Sequence, residues 1–241
     1  MRKSVLWGHH WDEYQGMFAL NQDDLKGSIL EYGCGASAVN AELHQQGVNI
    51  ISMDPLFSQN IDTLQQEVDA IFESRIQQMM ADKEDFNFDR YGGLEALVSY
   101  RRQGIKDFFK DYPSGKKAGR YLALQEQSLP FKDFQFDLAL CAHYFFADAG
   151  DIHLTTQLAS ILALTRVAKE IRIFPLIDRF GKPSPLIGPV LLALQQANLG
   201  VEVRDVSYHL QSAGHAMLRV WAQECALMKP YGSCHYGDYT K

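Results

Sequence analysis

The sequence predicts an α/β fold in which parallel strands alternate with helices, and three stretches carry this prediction. Residues 28–56 have the pattern of a strand, a glycine turn, a helix, a strand and an acid. Apolar strands follow at 121–124 and 136–144, and residues 147–178 repeat a helix and a strand. This alternation is typical of a doubly wound sheet whose ligand site lies at the carboxyl ends of the strands.

The first stretch has the spacing of a nucleotide-binding βαβ unit. Gly33 and Gly35 follow the first strand, and Asp54 ends the second strand about twenty residues later. Glycines adopt positive φ and carry no Cβ that would hold a ligand away. The N–H groups of the helix start then face the ligand, and the two oxygens of Asp54 can accept ribose hydroxyls.

Two ligand classes fit this unit. Gly33, Gly35 and Ala38 satisfy the dinucleotide pattern, which leaves a nicotinamide-dependent oxidoreductase open. Glu31 favours another ligand, because a carboxylate beside the helix start suits an ammonium group and a positive charge rather than a pyrophosphate. S-adenosylmethionine has both. The stretch resembles the first motif of the class I S-adenosylmethionine-dependent methyltransferases, although Ser37 replaces a glycine often found there.

A second stretch carries the same resemblance. Leu-Pro-Phe at 129–131, a short polar gap and Phe-Asp at 136–137 resemble the fourth-strand region of that family. The resemblance implies a seven-stranded sheet in the order 3-2-1-4-5-7-6, with the last strand antiparallel, in one methyltransferase-like domain of residues 1–241. It also implies methyl transfer from S-adenosylmethionine. The acceptor is not indicated; a small molecule is the default and a protein the second choice.

The resemblance implies residues for each part of the cofactor, from the methionyl end at the glycine turn to the adenine edge. The predicted cofactor-binding residues are Glu31, Gly33, Cys34, Gly35, Asp54, Pro55, Leu56, Gln125, Glu126 and Cys141. In the family an acid often meets the adenine amino group where Gln125 stands here. That departure keeps open a non-catalytic S-adenosylmethionine-binding module of the same fold.

His143 is the candidate catalytic residue, because it is the titratable imidazole at the end of the predicted fourth strand. It can act as a general base or orient a nucleophile. Methyl transfer often needs only alignment of an available lone pair, so both roles remain open. The aromatic residues that follow, Tyr144, Phe145 and Phe146, are expected to pack in the core.

Residues 57–120 are too long for a plain crossover between parallel strands. Two amphipathic patterns, separated by glycines at 92–93, predict a helical insertion that caps the sheet between strands 2 and 3. Residues 101–120 hold seven basic and two acidic residues. This basic cluster either attracts an anionic substrate or partner, or forms a solvated helix face.

The C-terminal part predicts a helix over 190–199 that Gly200 stops, followed by antiparallel strands at 201–204 and 217–221. Arg172, inside the fifth strand, is expected to pair with a carboxylate. Residues 223–241 form a tail without a predicted structure.

Composition narrows the functional classes. The 241 residues are 46% hydrophobic and 22% charged, as in a soluble globule, and the net charge of −6 favours neither nucleic acid nor an anionic membrane as partner. No secretory signal and no bilayer-spanning run is evident, so we expect a cytoplasmic protein. The four scattered cysteines predict reduced thiols and no metal site.

Overall fold

The computed structural model describes residues 8–124, 129–146, 154–178, 180–211 and 213–222. Gln125, Glu126 and the tail therefore lie outside the described residues. The strands are β1 (Ser28–Tyr32), β2 (Asn49–Asp54), β3 (Tyr121–Ala123), β4 (Phe136–Ala142), β5 (Ala168–Phe174), β6 (Leu199–Asp205) and β7 (Ala216–Ala222). The α-helices are α1 (Trp11–Phe18), α2 (Val39–Gln45), α3 (Ile61–Ala81), α4 (Leu94–Lys117), α5 (Leu154–Val167) and α6 (Ile187–Gln196).

The strands form one sheet in the order β3-β2-β1-β4-β5-β7-β6. The strands from β1 to β5 are parallel to their neighbours, while β7 is antiparallel to both β5 and β6. The predicted order and the antiparallel last strand are therefore confirmed. Because the carboxyl ends of the parallel strands lie at one edge, the glycine turn after β1, Asp54 and His143 lie at that edge.

Both faces of the sheet are buried, as a doubly wound fold requires. Successive residues of a strand point to opposite faces, so Leu30 packs toward α5 and α6 while Ile29 packs toward α1 and α2. In β4, Cys141 points to the first of these faces and Leu140 to the second. The apolar runs of the central strands follow from burial on both sides.

The segment between β2 and β3 contains the two predicted helices, and the glycines at 92–93 precede α4. Leu64 and Val68 of α3 form an apolar cluster with Phe108 of α4 and with Leu56 after β2. Within the basic cluster, Arg102, Lys106, Lys110, Lys116 and Lys117 are exposed, as a solvated helix face requires. Arg101 differs, because it is 1% exposed and paired with Glu13. A sequence pattern of charge cannot show which helix residue finds a partner more than eighty positions away.

The prediction that Gly200 stops a helix is wrong. Helix α6 ends at Gln196, and Gly200 lies within β6, beside Trp221 of β7. A Cβ at Gly200 would lie 2.2 Å from Cε2 of Trp221, so the glycine makes room for an indole ring. A glycine directly after a helical pattern is typical of a helix C-terminus, but here the glycine is required by a neighbour on the adjacent strand.

Arg172 pairs with carboxylates as predicted. Its guanidinium donates to Asp24 at 2.8 Å and to Glu170 at 2.6 Å, and it also donates to the backbone carbonyl of Phe18. The arginine lies on the inner strand β5, and these bonds connect the sheet to the end of α1. Among the described residues, no helix is both long and apolar enough to cross a membrane.

Candidate active site

The loop between β1 and α2 turns sharply through two glycines. Gly33 and Gly35 have φ of +69° and +59°, and the N–H of Gly33 donates to the carbonyl of Met53 at 2.7 Å. The ring of Tyr144 lies directly against Gly33, since a Cβ there would be 2.1 Å from Cδ2 of the tyrosine. Glycine is therefore required at position 33 both by the backbone angle and by the close approach of this ring.

Asp54 holds the glycine loop against the end of β2. Its two carboxylate oxygens accept the N–H of Gly35 at 2.8 Å and the N–H of Leu56 at 2.9 Å, and the side chain is 0% exposed. This bond to the loop was not anticipated from the sequence, which predicted only a contact with ribose. Each carboxylate oxygen has a second lone pair, so the two roles are compatible.

Glu31 is buried under the same loop, on the α1 side of the sheet. It is 1% exposed and accepts a hydrogen bond from Ser52 Oγ at 2.5 Å. Burial raises the pKa of its carboxyl group, while Ser52 and Tyr14 act in the opposite direction. The hydroxyl of Tyr14 lies near this carboxylate, but neither it nor Oε1 of Glu31 makes a hydrogen bond of standard distance and angle among the described residues.

The other predicted cofactor residues occupy three environments. Leu56 and Cys34 are buried in the apolar cluster beneath α3 and α4, and Pro55 beside them is half-buried. Cys141 is 0% exposed in the core against α5 and α6, where burial raises the pKa of its thiol. The structure thus brings Glu31, Asp54 and the glycines together and sets Cys141 on the opposite face of the sheet. Tyr144, Phe145 and Phe146 are buried, as predicted.

A cavity of about 200 Å³ opens beside the carboxyl ends of β4 and β5. Its wall is formed by α3 and the segment after it, by the segment after β5, and by the connection between β6 and β7. Its inner end is lined by His9, Arg101, His143, Phe174 and Tyr208.

His143 lies between the glycine loop and this cavity. It has φ of +56°, and its N–H donates to the carbonyl of Phe174 at 2.6 Å. Burial, followed by the charges of His9 and Arg101, holds the pKa of its imidazole well below 6.5. The ring is therefore neutral at pH 7 and can accept a hydrogen bond. The next residue, Tyr144, covers Gly33, so adjacent side chains face the cavity and the loop.

His9 is a cavity residue that sequence reasoning missed. Its ring stacks on that of His143, with centroids 5.2 Å apart and planes 9° apart. Burial and the nearby guanidinium of Arg101 lower the pKa of His9 to about 4. The sequence offered a weak signal, since the histidines at 9–10 directly precede an amphipathic helix, but only the fold shows that α1 begins beside the carboxyl end of β4.

An ion-pair network supports the inner wall of the cavity. Arg101 of α4 donates to Glu13 of α1 at 2.7 Å and to the hydroxyl of Tyr208 at 3.0 Å. Tyr208 in turn donates to Glu13 at 3.1 Å, and Tyr91 also donates to this carboxylate. The network connects three segments that are distant in sequence. Within the described ranges, no group of three or more His, Cys, Asp or Glu side chains could hold a metal ion.

The strand order, the antiparallel β7 and the glycine loop after β1 define the fold class: the described chain has the fold of the class I methyltransferases.

Comparison with known proteins gave one curated relative and several solved structures. An uncharacterised protein of Methanocaldococcus jannaschii is 25% identical over 221 residues, which cover 90% of this chain and 96% of the relative. A methyltransferase structure from Methanosarcina mazei is 10% identical, covers 81% of this chain and 92% of that one, and has a TM-score of 0.43. One from Aquifex aeolicus is 18% identical, covers 81% of each chain and has a TM-score of 0.37. No protein-family model matches the sequence.

Proposed function

We propose that this protein transfers a methyl group from S-adenosylmethionine to a small molecule bound in the cavity beside His143. The observation that carries the proposal is the glycine loop held between Glu31 and Asp54, with a cavity on the other side of residues 143–144. In a sheet of this order, a ligand at the switch between β1 and β4 would lie next to one at the ends of β4 and β5.

The residues of the loop fit such a cofactor. Gly33 leaves no side chain between the backbone and the ring of Tyr144, so a movement of this ring would open a cradle along the loop. Glu31 places a buried carboxylate under the loop, which suits a cationic ligand. Glu31, Gly33 and Gly35 would hold the methionyl part, and Asp54 the ribose. The bound cofactor would supply an activated methyl group.

The chain's own residues would position the acceptor and exclude water. Phe174 and Tyr208 form a buried aromatic wall at the inner end of the cavity, and the neutral ring of His143 can accept a hydrogen bond there. Alignment in a site without water is the main requirement for such a transfer. The cavity volume of about 200 Å³ favours a small molecule over a folded protein as acceptor.

A second candidate is a non-catalytic module that binds the cofactor without turnover, because Gln125 stands where the family that the sequence resembles often has an acid at the adenine edge.

The first experiment is calorimetric titration with S-adenosylmethionine, S-adenosylhomocysteine and NAD. Asp54→Asn keeps the shape of the side chain but removes the charge that holds Gly35, whereas Asp69→Asn makes the same change at an exposed site on α3. We expect both adenosyl compounds to bind, Asp54→Asn to weaken them by roughly ten-fold or more, and Asp69→Asn to have no effect. Binding of NAD alone would indicate an oxidoreductase instead. Cofactor binding without turnover in a screen of acceptors would favour the non-catalytic module.

A further inference from the structure

The cavity has different chemical groups at its two ends. At the mouth, Asp82 and Asp85 are exposed carboxylates on the segment after α3. At the inner end, the lining residues His9 and Arg101 are only 2% and 1% exposed. Acidic groups therefore meet solvent, while nitrogen-containing side chains lie at the depth of the cavity.

The hydrogen-bond contacts determine which nitrogen of His9 carries its proton. Nδ1 of His9 contacts the guanidinium of Arg101, which is a permanent donor, and lies 3.4 Å from Oε2 of Glu13, which can only accept. Because the guanidinium is the nearer of the two groups, Nδ1 presents its lone pair to it and the neutral imidazole carries its hydrogen on Nε2. This Nε2 is buried and has no hydrogen-bond partner among the described residues. A buried donor without an acceptor is rare in folded proteins and marks a position where a ligand atom can accept.

The other groups around the inner end favour a negative charge on that ligand atom. Arg75 of α3 lines the same cavity, where its guanidinium donates to Gln78 at 2.9 Å and its positive charge lowers the pKa of the His143 imidazole. The charge of Arg101 is matched by Glu13, so the pair adds little net charge of its own. Asp178 directs its Oδ1 to the N–H groups of Phe180 and Lys182 and so stabilises its own turn.

The lining and the volume of the cavity favour an apolar ring. Phe174 packs edge-on against both His143 and Tyr208, with centroids 5.7 Å and 5.8 Å apart. Ile177 and Met79 complete an apolar wall. Since an apolar cavity of about 150 Å³ can hold a benzene ring, a cavity of about 200 Å³ has room for one substituted ring.

We propose that the methyl acceptor is a compact aromatic molecule with an anionic oxygen, which Nε2–H of His9 and the guanidinium of Arg75 receive beside His143. That this molecule accepts the methyl group rests on the proposed function, but the preference of the cavity for an aromatic anion can be tested without it. The exposed carboxylates at the mouth would disfavour a second anionic group on the outer part of the molecule.

The direct test is calorimetry with four single-ring probes on the full chain. Benzoate and 4-nitrophenolate carry an anionic oxygen, benzyl alcohol is neutral and benzylamine is a cation. We expect the two anions to bind roughly ten-fold or more tightly than the other two, the ratio typical of a hydrogen bond to a charged group. Equal binding of all four, preference for benzylamine, or no binding of any probe would overturn the proposal.

Variants connect the selectivity to His9. His9→Phe keeps an aromatic ring next to His143 but removes the donor, whereas His9→Gln keeps an N–H donor of similar reach. We expect His9→Phe to remove the preference for anions and His9→Gln to retain part of it. His44→Phe makes the same change at an exposed histidine of α2 and should retain it in full. If His9→Phe does not fold, Arg75→Gln tests the same preference from a half-buried position. Full retention of the preference in both His9→Phe and Arg75→Gln would contradict the proposal.

The absorbance of 4-nitrophenol gives an independent measure, because its ionised form absorbs at longer wavelength. At a pH where the free probe is partly ionised, we expect the bound probe to be more ionised in the native protein than in His9→Phe. A bound probe that becomes protonated would overturn the proposal. Titration with S-adenosylmethionine on the same samples separates the two proposals: anion binding without cofactor binding would leave this inference standing while the proposed function fails.

Discussion

The carboxylate of Glu13 and the guanidinium of Arg101 form a buried ion pair in which each oxygen lies 2.7 Å from a guanidinium nitrogen. The pair joins α1 to α4 at the inner wall of the cavity. Burial alone would raise the pKa of Glu13, but the charge of Arg101 and hydrogen bonding hold it well below 4.5. The carboxylate is thus ionised in the folded protein even though it is 0% exposed.

Removal of one member of this pair should be strongly destabilising. Arg101→Met leaves the charge of Glu13 buried and unpaired, which typically costs about 3–5 kcal/mol. Arg102→Met is the matched control, because Arg102 pairs with Glu73 at an exposed position, where such a pair contributes about 1 kcal/mol or less. Urea unfolding measures both variants. Similar losses of unfolding free energy in the two variants would contradict the stabilising role of the buried pair. The double variant Glu13→Gln with Arg101→Met removes both charges and should recover part of the stability that Arg101→Met loses.

Glu31 should make stability depend on pH in a defined window. Its folded-state pKa is raised above 4.5, first by burial, so the folded protein keeps a proton that the unfolded chain loses. The free energy of unfolding should therefore fall as pH rises from about 4.5 through the folded pKa, by at most about 1.4 kcal/mol per pH unit.

Glu31→Gln, which resembles the protonated form, should remove this dependence. The stability of the variant relative to native protein should increase with pH across the window and stay constant below it. Glu84→Gln, at an exposed position, controls for the loss of a carboxylate. Chemical unfolding at a series of pH values measures the difference; a flat difference for Glu31→Gln would show that its burial has no such effect.

A comparison of two glycines with similar backbone angles distinguishes the cost of backbone strain from the cost of a steric clash. Gly33 and Gly47 have φ of +69° and +81°, but a Cβ at Gly47 would meet nothing within 4 Å. Gly47→Ala should cost about 1–2 kcal/mol for the backbone angle alone. Gly33→Ala should cost about 1–3 kcal/mol more, because its Cβ would collide with Tyr144.

The double variant Gly33→Ala with Tyr144→Ala tests whether the clash with the ring causes the loss. Removal of the ring should reduce the additional loss of unfolding free energy that Gly33→Ala shows over Gly47→Ala. Urea unfolding of the single and double variants gives the coupling. Additive losses would show that the ring and the loop do not interact. Tyr144→Ala by itself should also increase the rate at which S-adenosylmethionine binds, which stopped-flow measurement can detect.

Gly200 should be intolerant of alanine for a reason unrelated to its backbone angle. A Cβ at this position would lie 2.2 Å from the ring of Trp221, so Gly200→Ala should cost about 1–3 kcal/mol by overpacking. Gly188→Ala is the control, because a Cβ there meets nothing within 4 Å and alanine favours the helix. Thermal unfolding compares the two; a neutral Gly200→Ala would show that the indole ring moves easily.

The strand order was predicted through the resemblance to a family, and the motifs that carry this resemblance are local. Glycines at 33 and 35 and an acid at 54 lie within one βαβ unit, and Leu-Pro-Phe at 129–131 with the apolar strand after 136 forms a second short stretch. The helices between β2 and β3 were predictable for the same reason, since amphipathic periodicity and a glycine break are properties of a continuous segment.

Only the tertiary structure decided which side chains face each other across the site. The stacking of His9 on His143, the burial of Arg101 against Glu13 and the contact of Tyr144 with Gly33 join residues that are distant along the chain. Sequence periodicity does not reveal which distant residue a charged or aromatic side chain contacts. The sequence by itself therefore determined the fold and the place of the glycine loop, whereas packing between distant segments decided the chemistry of the cavity.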